Sequence, residues 1–459
     1  TLELTNLTFK ECCEIFDNFT HERHDFILEA TADETINERG YITEFVVPGN
    51  TITFTTAQSA IQRLGRPAIV NRADSFTDNF MEFFCGADVT FTFDQIILDG
   101  QSSSASCDPI LNVYDNCNCA ATVNFGVPES SNTDYPIFRN NTNTSTTGDF
   151  GGAIYFRSES ETFNMYCGEI SGNKAYKGGA VYIGDSRAGD TTAANINFYG
   201  GKITNNKLTN ASAFGVETSF KNISVLNYNF SGNTFIYNNT DASGTAQLNL
   251  CLDNISAKNV EVANLHPSAK IGVPSNLTSS PYVFAHFNLE EFDKSPPTML
   301  SAFVNDSSGT LSGRLGSALP GANFGKIGWG DPIARLSNGG STIGEYASIN
   351  DAIFSAPTNG SSSTIEILVQ TIDIFYAIDS FQSNQNITLR TSSELSAQDK
   401  TTTLLRSANG APGSSPYMDA IITNNEKGTN NPHLTLADLI IDVYSAIVTC
   451  NSMYSSLIY

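Results

Sequence analysis

The sequence predicts an all-β fold: a right-handed parallel β-helix, followed by a connector and the start of a second β-helix capped by a short helix. Three observations carry this expectation. Two tetrapeptides, Gly151-Gly152-Ala153-Ile154 and Gly178-Gly179-Ala180-Val181, each open a strand-like run. An aliphatic or aromatic residue recurs three positions before an asparagine, at Phe138 and Asn141, Ile170 and Asn173, Ile203 and Asn206, and Phe235 and Asn238. Runs of period-two alternation recur every few tens of residues, the mark of a solenoid whose rungs bury a core only by stacking on one another.

Each element has a physical reason. The paired glycines suit a tight bend between two strands of a rung, where a Cβ would clash. The aliphatic residues around them point inward, so Ile154, Val181, Phe163, Ile196 and Phe198 are expected in the core of a β-helix over residues 28–290. The asparagine closing the second pattern suits a turn, and its amide can bond the asparagines one rung above and below. These GGA-aliphatic and aliphatic-x-x-Asn repeats resemble those of the polymorphic outer-membrane protein family, within the pectin-lyase-like right-handed β-helix superfamily. The resemblance covers residues 130–260. It implies the fold and a surface location. The chain departs from that family in having two full GGA motifs and no visible C-terminal membrane barrel.

A longer repeat organises the rest. The run Thr90 to Asp99 matches His433 to Asp442 in pattern, and Leu2 to Phe9 matches both. Asn50 to Thr55 parallels Asn386 to Thr391, and Ile69 to Arg72 parallels Thr403 to Arg406. Residues 28–100 and 363–443 thus read as two copies of the opening rungs of a β-helix. Before the second copy, Tyr346 to Pro357 places Ile349, Ala352, Ile353 and Ala356 on one helical face. Ser348 is its expected cap, Asp351 favours its first turn, and Pro357 helps stop it. Such a helix covers the open end of a solenoid, although an ordinary surface helix has the same pattern. The expected organisation is a β-helix over 1–290, a strand-containing connector over 291–340, and the helix-capped second β-helix over 341–459. In the connector, Pro and Gly punctuate short strands at Ala302 to Val304 and Lys326 to Trp329, with Trp329 expected to anchor on a rung and stacking on carbohydrate as its alternative.

Composition narrows the function classes. The chain has 459 residues, 24 basic against 47 acidic, and a net charge of −23. Nucleic acid is therefore not an expected partner. No apolar run is long enough for a membrane helix, and none is expected to insert in a membrane; the longest, Leu434 to Val448, is broken by Asp438, Asp442 and Ser445. The first residue is Thr, so the chain is read as processed or as a segment of something longer. Among nine cysteines no CxxC pair occurs. Cys12, Cys13, Cys85, Cys107, Cys117, Cys119 and Cys450 are disulfide candidates for an oxidising compartment, whereas Cys167 and Cys251 fall in strand-like runs and read as core residues. The odd count leaves one thiol over, or bonded to another chain. Thirteen glycosylation sequons begin at Asn6, Asn18, Asn140, Asn143, Asn210, Asn222, Asn229, Asn238, Asn254, Asn276, Asn305, Asn359 and Asn386. In so polar a chain about ten arise by chance.

Catalytic signatures are sparse. A glycosidase needs two carboxylates at a set separation, and a lyase needs a base and cations. The chain offers Asn132-Thr133-Asp134 and Asn239-Thr240-Asp241 without the Asp-Asp, Gly-His-Gly or Arg-x-Lys that accompany such a tripeptide in galacturonases. Lys174, Lys177 and Arg187 read as turn residues. The cluster His21 to His24 has no partner motif, and no catalytic residue, metal ligand or cofactor is assigned. The expected function is a secreted, non-catalytic structural protein, extracellular or on the cell surface, forming a filament from copies of itself. A β-helix polysaccharide lyase or hydrolase, and a glycan-binding adhesin stalk, are the alternatives. The expected joint pairs the C-terminal strand (Leu434, Leu436, Leu439) with the N-terminal one (Leu2, Leu4, Leu7).

Overall fold

The chain is a parallel β-helix whose opening rungs occur twice. The computed structural model describes residues 7–17, 22–42, 47–85, 87–101, 106–115, 120–128, 130, 133–146, 150–157, 161–184, 193–210, 213, 215–219, 225–251, 258–266, 268–273, 282–287, 302–306, 314–316, 326–330, 332–346, 348–374, 378, 381–406, 422 and 432–442. They divide into two compact units, Thr1–Pro274 with Ser301–Ser308, and Ser275–Leu300 with Gly309–Tyr459. The expected connector is shared between them: Phe303–Asn305 is the last strand of a face of the first unit, while Arg314–Gly316 and Lys326–Gly330 pair antiparallel in the second.

In the first unit the chain winds through three faces per rung. Face A stacks Asp25–Ala30, Asn50–Thr56, Val89–Phe93, Ala121–Phe125, Thr162–Met165, Ala193–Phe198, Val225–Gly232 and Lys258–Leu265, all parallel. Face B runs from Glu34–Ile36 to Phe303–Asn305, and face C from Gly40–Ile42 to Val216–Ser219. Alternation sends every second side chain of Asn50–Thr56 and Val89–Phe93 inward. Ile154, Val181, Phe163, Ile196 and Phe198 are all buried, as the repeats predict. Phenylalanine rings stack between rungs in the same core, with Phe54 and Phe93 at 5.1 Å and Phe198 and Phe230 at 5.4 Å between centroids.

The glycine pairs sit at the bend before face C. Gly151 and Gly178 have φ of +87° and +58°, and a Cβ on Gly152 would lie 2.0 Å from the Gly179 carbonyl oxygen. At Gly152 the bend is thus a stack of backbones with no room for a side chain.

The second unit repeats the opening of the first. Helix α3 (Ile349–Phe354) precedes Ser362–Ile367, which pairs parallel with Asn386–Thr391 and then His433–Ala437. A second face stacks Thr371–Ile374, Thr402–Arg406 and Leu439–Asp442. The Ser348 hydroxyl accepts from the Asp351 N–H, and Ile349, Ala352, Ile353 and Ala356 are buried, so the capping helix forms as expected. The first unit has its own cover, α1 (Phe9–Asp17), whose Phe9 and Cys13 press on Gly40.

In both units a short helix bridges faces A and B of the second rung: α2 (Gln58–Leu64) and α4 (Ser393–Ser396). Before α2, the Thr56 hydroxyl accepts from Ala68 N–H at 3.0 Å; before α4, the Thr391 hydroxyl accepts from Thr402 N–H at 2.9 Å. This identity sets the alignment of the copies. Thr51, not Asn50, corresponds to Asn386, a one-residue slip from the parallel read in the sequence, and in a strand one residue exchanges the two faces. The matches of Thr90 with His433 and of Arg72 with Arg406 agree with the structural register.

The fourth asparagine repeat also needs a one-residue correction. Ile236, not Phe235, is the buried partner of Ile203, and Asn239, not Asn238, continues the buried column. The expected strand over Leu2 to Phe9 is corrected at its end: Leu7 and Thr8 lie outside any strand, Leu7 is exposed, and Phe9 begins α1. Alternating Leu residues ahead of an amphipathic run serve a helix entry as readily as a strand. Leu2 and Leu4 lie outside the described residues.

Candidate functional site

Three features concentrate polar chemistry or unsatisfied backbone: an interior amide column, an exterior Thr/Asn array, and the edges of the terminal rungs. The interior column begins where the chain leaves face B. A residue with positive φ turns the chain, namely Asn140 (+57°), Gly172 (+66°), Asn205 (+57°) and Asn238 (+63°). The asparagine after it points inside. Asn141, Asn173, Asn206, Asn239 and Asn249 are each fully buried. Asn173 donates its backbone and side-chain N–H to Asn206 Oδ1, both at 3.0 Å, and Asn206 does the same to Asn239 Oδ1 at 3.2 and 2.8 Å. The second amide proton goes to a backbone carbonyl, as from Asn206 to Ile170 at 3.0 Å. From Asn173 to Asn239 each buried amide is thereby satisfied through the neighbouring rungs, whereas Asn141, at the start of the column, donates to the Asp108 and Gly152 carbonyls and its Oδ1 has no hydrogen-bond donor among the described residues. The column ends on Asp306, whose carboxyl is pushed up to about 6 because burial outweighs the two N–H donors of Asn249.

The exterior array lies on face A. Its strands keep register from Asp25 to Glu261, so outward residues form columns. One column reads Thr51, Thr90, Thr122, Thr162, Asn195 and Asn227. Its neighbour reads Thr53, Thr92, Asn124, Asn164, Asn197 and Asn229. The amides chain along the axis: Asn229 to Asn197 at 2.6 Å, Asn197 to Asn164 at 2.7 Å, Asn164 to Asn124 at 2.9 Å, and Asn124 to the Thr92 hydroxyl at 3.2 Å. Just after Met165 and Phe198, Tyr166 and Tyr199 stack with centroids 5.0 Å apart.

The rung edges are the third feature. Among the described residues, Asp25–Ala30 pairs with Asn50–Thr56 alone, and His433–Ala437 and Leu439–Asp442 each pair with one strand. In Asp25–Ala30 the carbonyls of His24 and Ala30 accept from Thr51 and Ala57, so the alternate residues, Ile27 among them, turn their backbone groups to the open edge. Ile27 is 69% exposed. At the other terminal rung, Leu434, Leu436, Leu439 and Ile441 are only partly buried against the core of the second unit. Their counterparts in the first unit, Phe91, Phe93, Ile96 and Leu98, are buried.

The remaining sequence candidates are scattered. Cys12, Cys13 and Cys107 are thiols and form no disulfide, a correction to the expected bridges. Cys13 is on the buried face of α1, and burial with the nearby Glu34 pushes the Cys12 thiol up to about 11. Cys167 and Cys251 are buried, as their strand-like contexts suggest. The side chain of Cys85 and residues Cys117, Cys119 and Cys450 lie outside the described residues, as do Asn6, Asn18, Asn222, Asn254 and Asn276 and the side chain of Trp329.

Of the sequons, Asn143 is buried with its amide donating to Gly151 O at 3.1 Å, which removes it as an acceptor in the folded chain. Asn238 and Asn359 are exposed on turns; Asn140, Asn210, Asn229, Asn305 and Asn386 are half-buried. In the tripeptide candidates, Asn239 belongs to the interior column and Asp241 caps its own turn through Ser243 and Thr245. Lys177 lies over the Phe150 ring, and His24 stacks on Phe26. No protein family, curated protein or solved structure matches this chain.

Proposed function

We propose that the chain is a non-catalytic structural protein, a subunit of an extracellular filament or cell-surface fibre whose copies join end to end. The observation that carries this reading is the pair of unsatisfied terminal rungs. Among the described residues, the first rung offers an open strand edge at Asp25–Ala30, and the last offers open edges together with the half-covered Leu434, Leu436, Leu439 and Ile441. Adding Asp25–Ala30 of one copy to His433–Ala437 of another continues face A in parallel. It satisfies two rows of backbone groups and buries apolar surface. Joining one end to the opposite end is a heterologous contact that does not close, and such contacts generate fibres. The acceptor strand is Asp25–Ala30 rather than the segment from Leu2 to Phe9.

The extracellular location rests on the likeness of the repeats to surface β-helix proteins and on the exposed sequons at Asn238 and Asn359. The scattering of candidate acids and bases supports the non-catalytic reading: Asp241 is engaged in its own turn, and Lys177 lies over a ring. Electron microscopy of the purified chain tests the assembly. Fibres are expected, and the double variant L436D/L439D is expected to abolish them while the first unit keeps its strand circular dichroism. A wild-type chain that stays monomeric at high concentration overturns the reading.

A further inference from the structure

We propose that the outward surface of face A in the first unit is a lateral interface, on which a second copy of this chain packs face to face so that fibres bundle. The proposal rests on the end-to-end reading above and adds a surface that this reading does not use.

The first argument is charge. The chain carries 47 acidic and 24 basic residues, so two copies repel across most of their surface. The two outward columns from Thr51 and Thr53 to Asn227 and Asn229 contain no charged residue; charge returns at the ends, at Asp25 and Glu261. In the second unit the matching columns are Ser362, Asn386 and His433, and Thr364, Thr388 and Thr435. They also hold no carboxylate, lysine or arginine; Glu366 and Arg390, bonded at 2.7 Å, stand in the next outward column. The first unit extends the neutral stretch over six rungs.

The second argument is periodicity. Both copies carry columns spaced by the same rung rise, about 4.8 Å. Their hydroxyls and amides therefore stay in step along the whole face, which no irregular partner surface does. Asn124, Asn164, Asn197, Asn227 and Asn229 each spend one amide proton on the rung before and have a second to donate. Interdigitated Asn and Thr ladders between paired sheets are a known packing mode. Tyr199, 40% exposed and stacked on Tyr166, supplies an aromatic anchor beside the columns.

Size sets the strength. Six rungs at about 4.8 Å and a width of two outward columns give roughly 400 Å² per copy, about half of what a standard stable interface buries on each side. Single subunits therefore pair only weakly, whereas subunits already joined in a fibre pair firmly, because the contacts add along it.

The test is N124K/N164K, which puts cations into the array at two half-buried outward positions, with T122K as an independent second variant and thermal melting to check folding. Wild-type fibres are expected to bundle, and both variants to give single fibres of normal length. Bundles that persist in a folded variant, or wild-type fibres that never bundle, overturn the lateral interface and leave the end-to-end reading standing. If the wild type forms no fibre, the end-to-end reading fails, and sedimentation equilibrium decides the interface: a weak dimer lost in the variants supports it, and a strict monomer overturns it. Sugar on Asn229 of native material overturns it, because the face is then occupied. Variant-sensitive binding to a neutral polysaccharide without bundling overturns it too, and assigns the face to a glycan.

Discussion

Asn249 donates its backbone N–H and its side-chain N–H to the carboxylate of Asp306, at 3.2 and 2.8 Å, across the level of Gly272. A Cβ on Gly272 would lie 2.3 Å from the amide nitrogen and 2.4 Å from the carboxylate, so the glycine leaves the gap that this contact crosses. A column of neutral amides therefore ends on an ionisable group inside the fold.

That ending makes the first unit sensitive to pH. The Asp306 carboxyl is raised from 3.8 to about 6 by burial, so the folded chain holds this proton more tightly than the unfolded chain. The contribution is fully favourable below about pH 4 and is lost as pH rises through about 6. Asp306→Asn keeps an acceptor for Asn249 and removes the charge. It should stabilise the first unit at pH 7 by on the order of 2 kcal/mol and flatten the stability profile between pH 4 and 6. Urea unfolding at several pH values measures both effects, and an unchanged slope would contradict the assignment.

Asn206 has a neighbour on both sides in the same column. It accepts twice from Asn173 and donates to Asn239, Ile170 and Thr204. Asn206→Leu orphans buried groups on both sides and should cost at least about 3 kcal/mol. The outward, half-buried Asn164→Ala removes one exterior amide and should cost under about 1 kcal/mol. Comparable denaturation midpoints for the two variants would show that the interior column is not what holds the rungs.

The glycine bend gives a steric comparison. Gly152→Ala drives a methyl into the Gly179 carbonyl, whereas a Cβ on Gly244, at φ +80°, would meet nothing within 4 Å. Gly244→Ala should cost about 1 kcal/mol of backbone strain alone. Gly152→Ala should cost several times more, because the obstacle is backbone of the next rung. Melting temperatures of the two variants are the measurement, and equal losses would refute the stacked-backbone account.

How much of this was legible in the sequence depends on range. The GGA and aliphatic-x-x-Asn repeats carried the rung, because the backbone clash at Gly152 and the amide pairing of Asn173 leave few residue choices. The slip at Asn238 arose because two consecutive asparagines satisfy the same pattern: Asn238 takes the positive φ and Asn239 the column. The preceding turn residue, Asn205 before Asn206, was the signal that would have separated them. Helix α1 was hidden because Leu2 to Phe9 alternates like a strand, and α2 because a helix of two turns leaves only Gly65 and Pro67 as marks. Asp306 joins its column from 57 residues beyond Asn249, a separation that no local pattern spans.

The duplication within the chain sharpens the last prediction. Ile27 corresponds to Thr364, since Ile27 pairs with Thr53 and Thr364 with Thr388 in the equivalent strands. The two edges differ in one respect. Ser362–Ile367 is covered on its outer side by the antiparallel strand Ala334–Asn338, with Thr364 opposite Ser337, whereas Asp25–Ala30 has no described strand on that side. The fold therefore accepts a strand at this position even with a helix capping the rung. Ile27→Pro removes the N–H that faces the open edge and leaves the bonds to Asn50–Thr56 in place, because those use the alternate residues. Ile27→Thr copies the covered counterpart and keeps the N–H. The proline variant should fold with a melting temperature within a few degrees of wild type and fail to elongate; the threonine variant should elongate normally. Seeded growth followed by light scattering reads the difference, and a proline variant that elongates at the wild-type rate would remove Asp25–Ala30 from the joint.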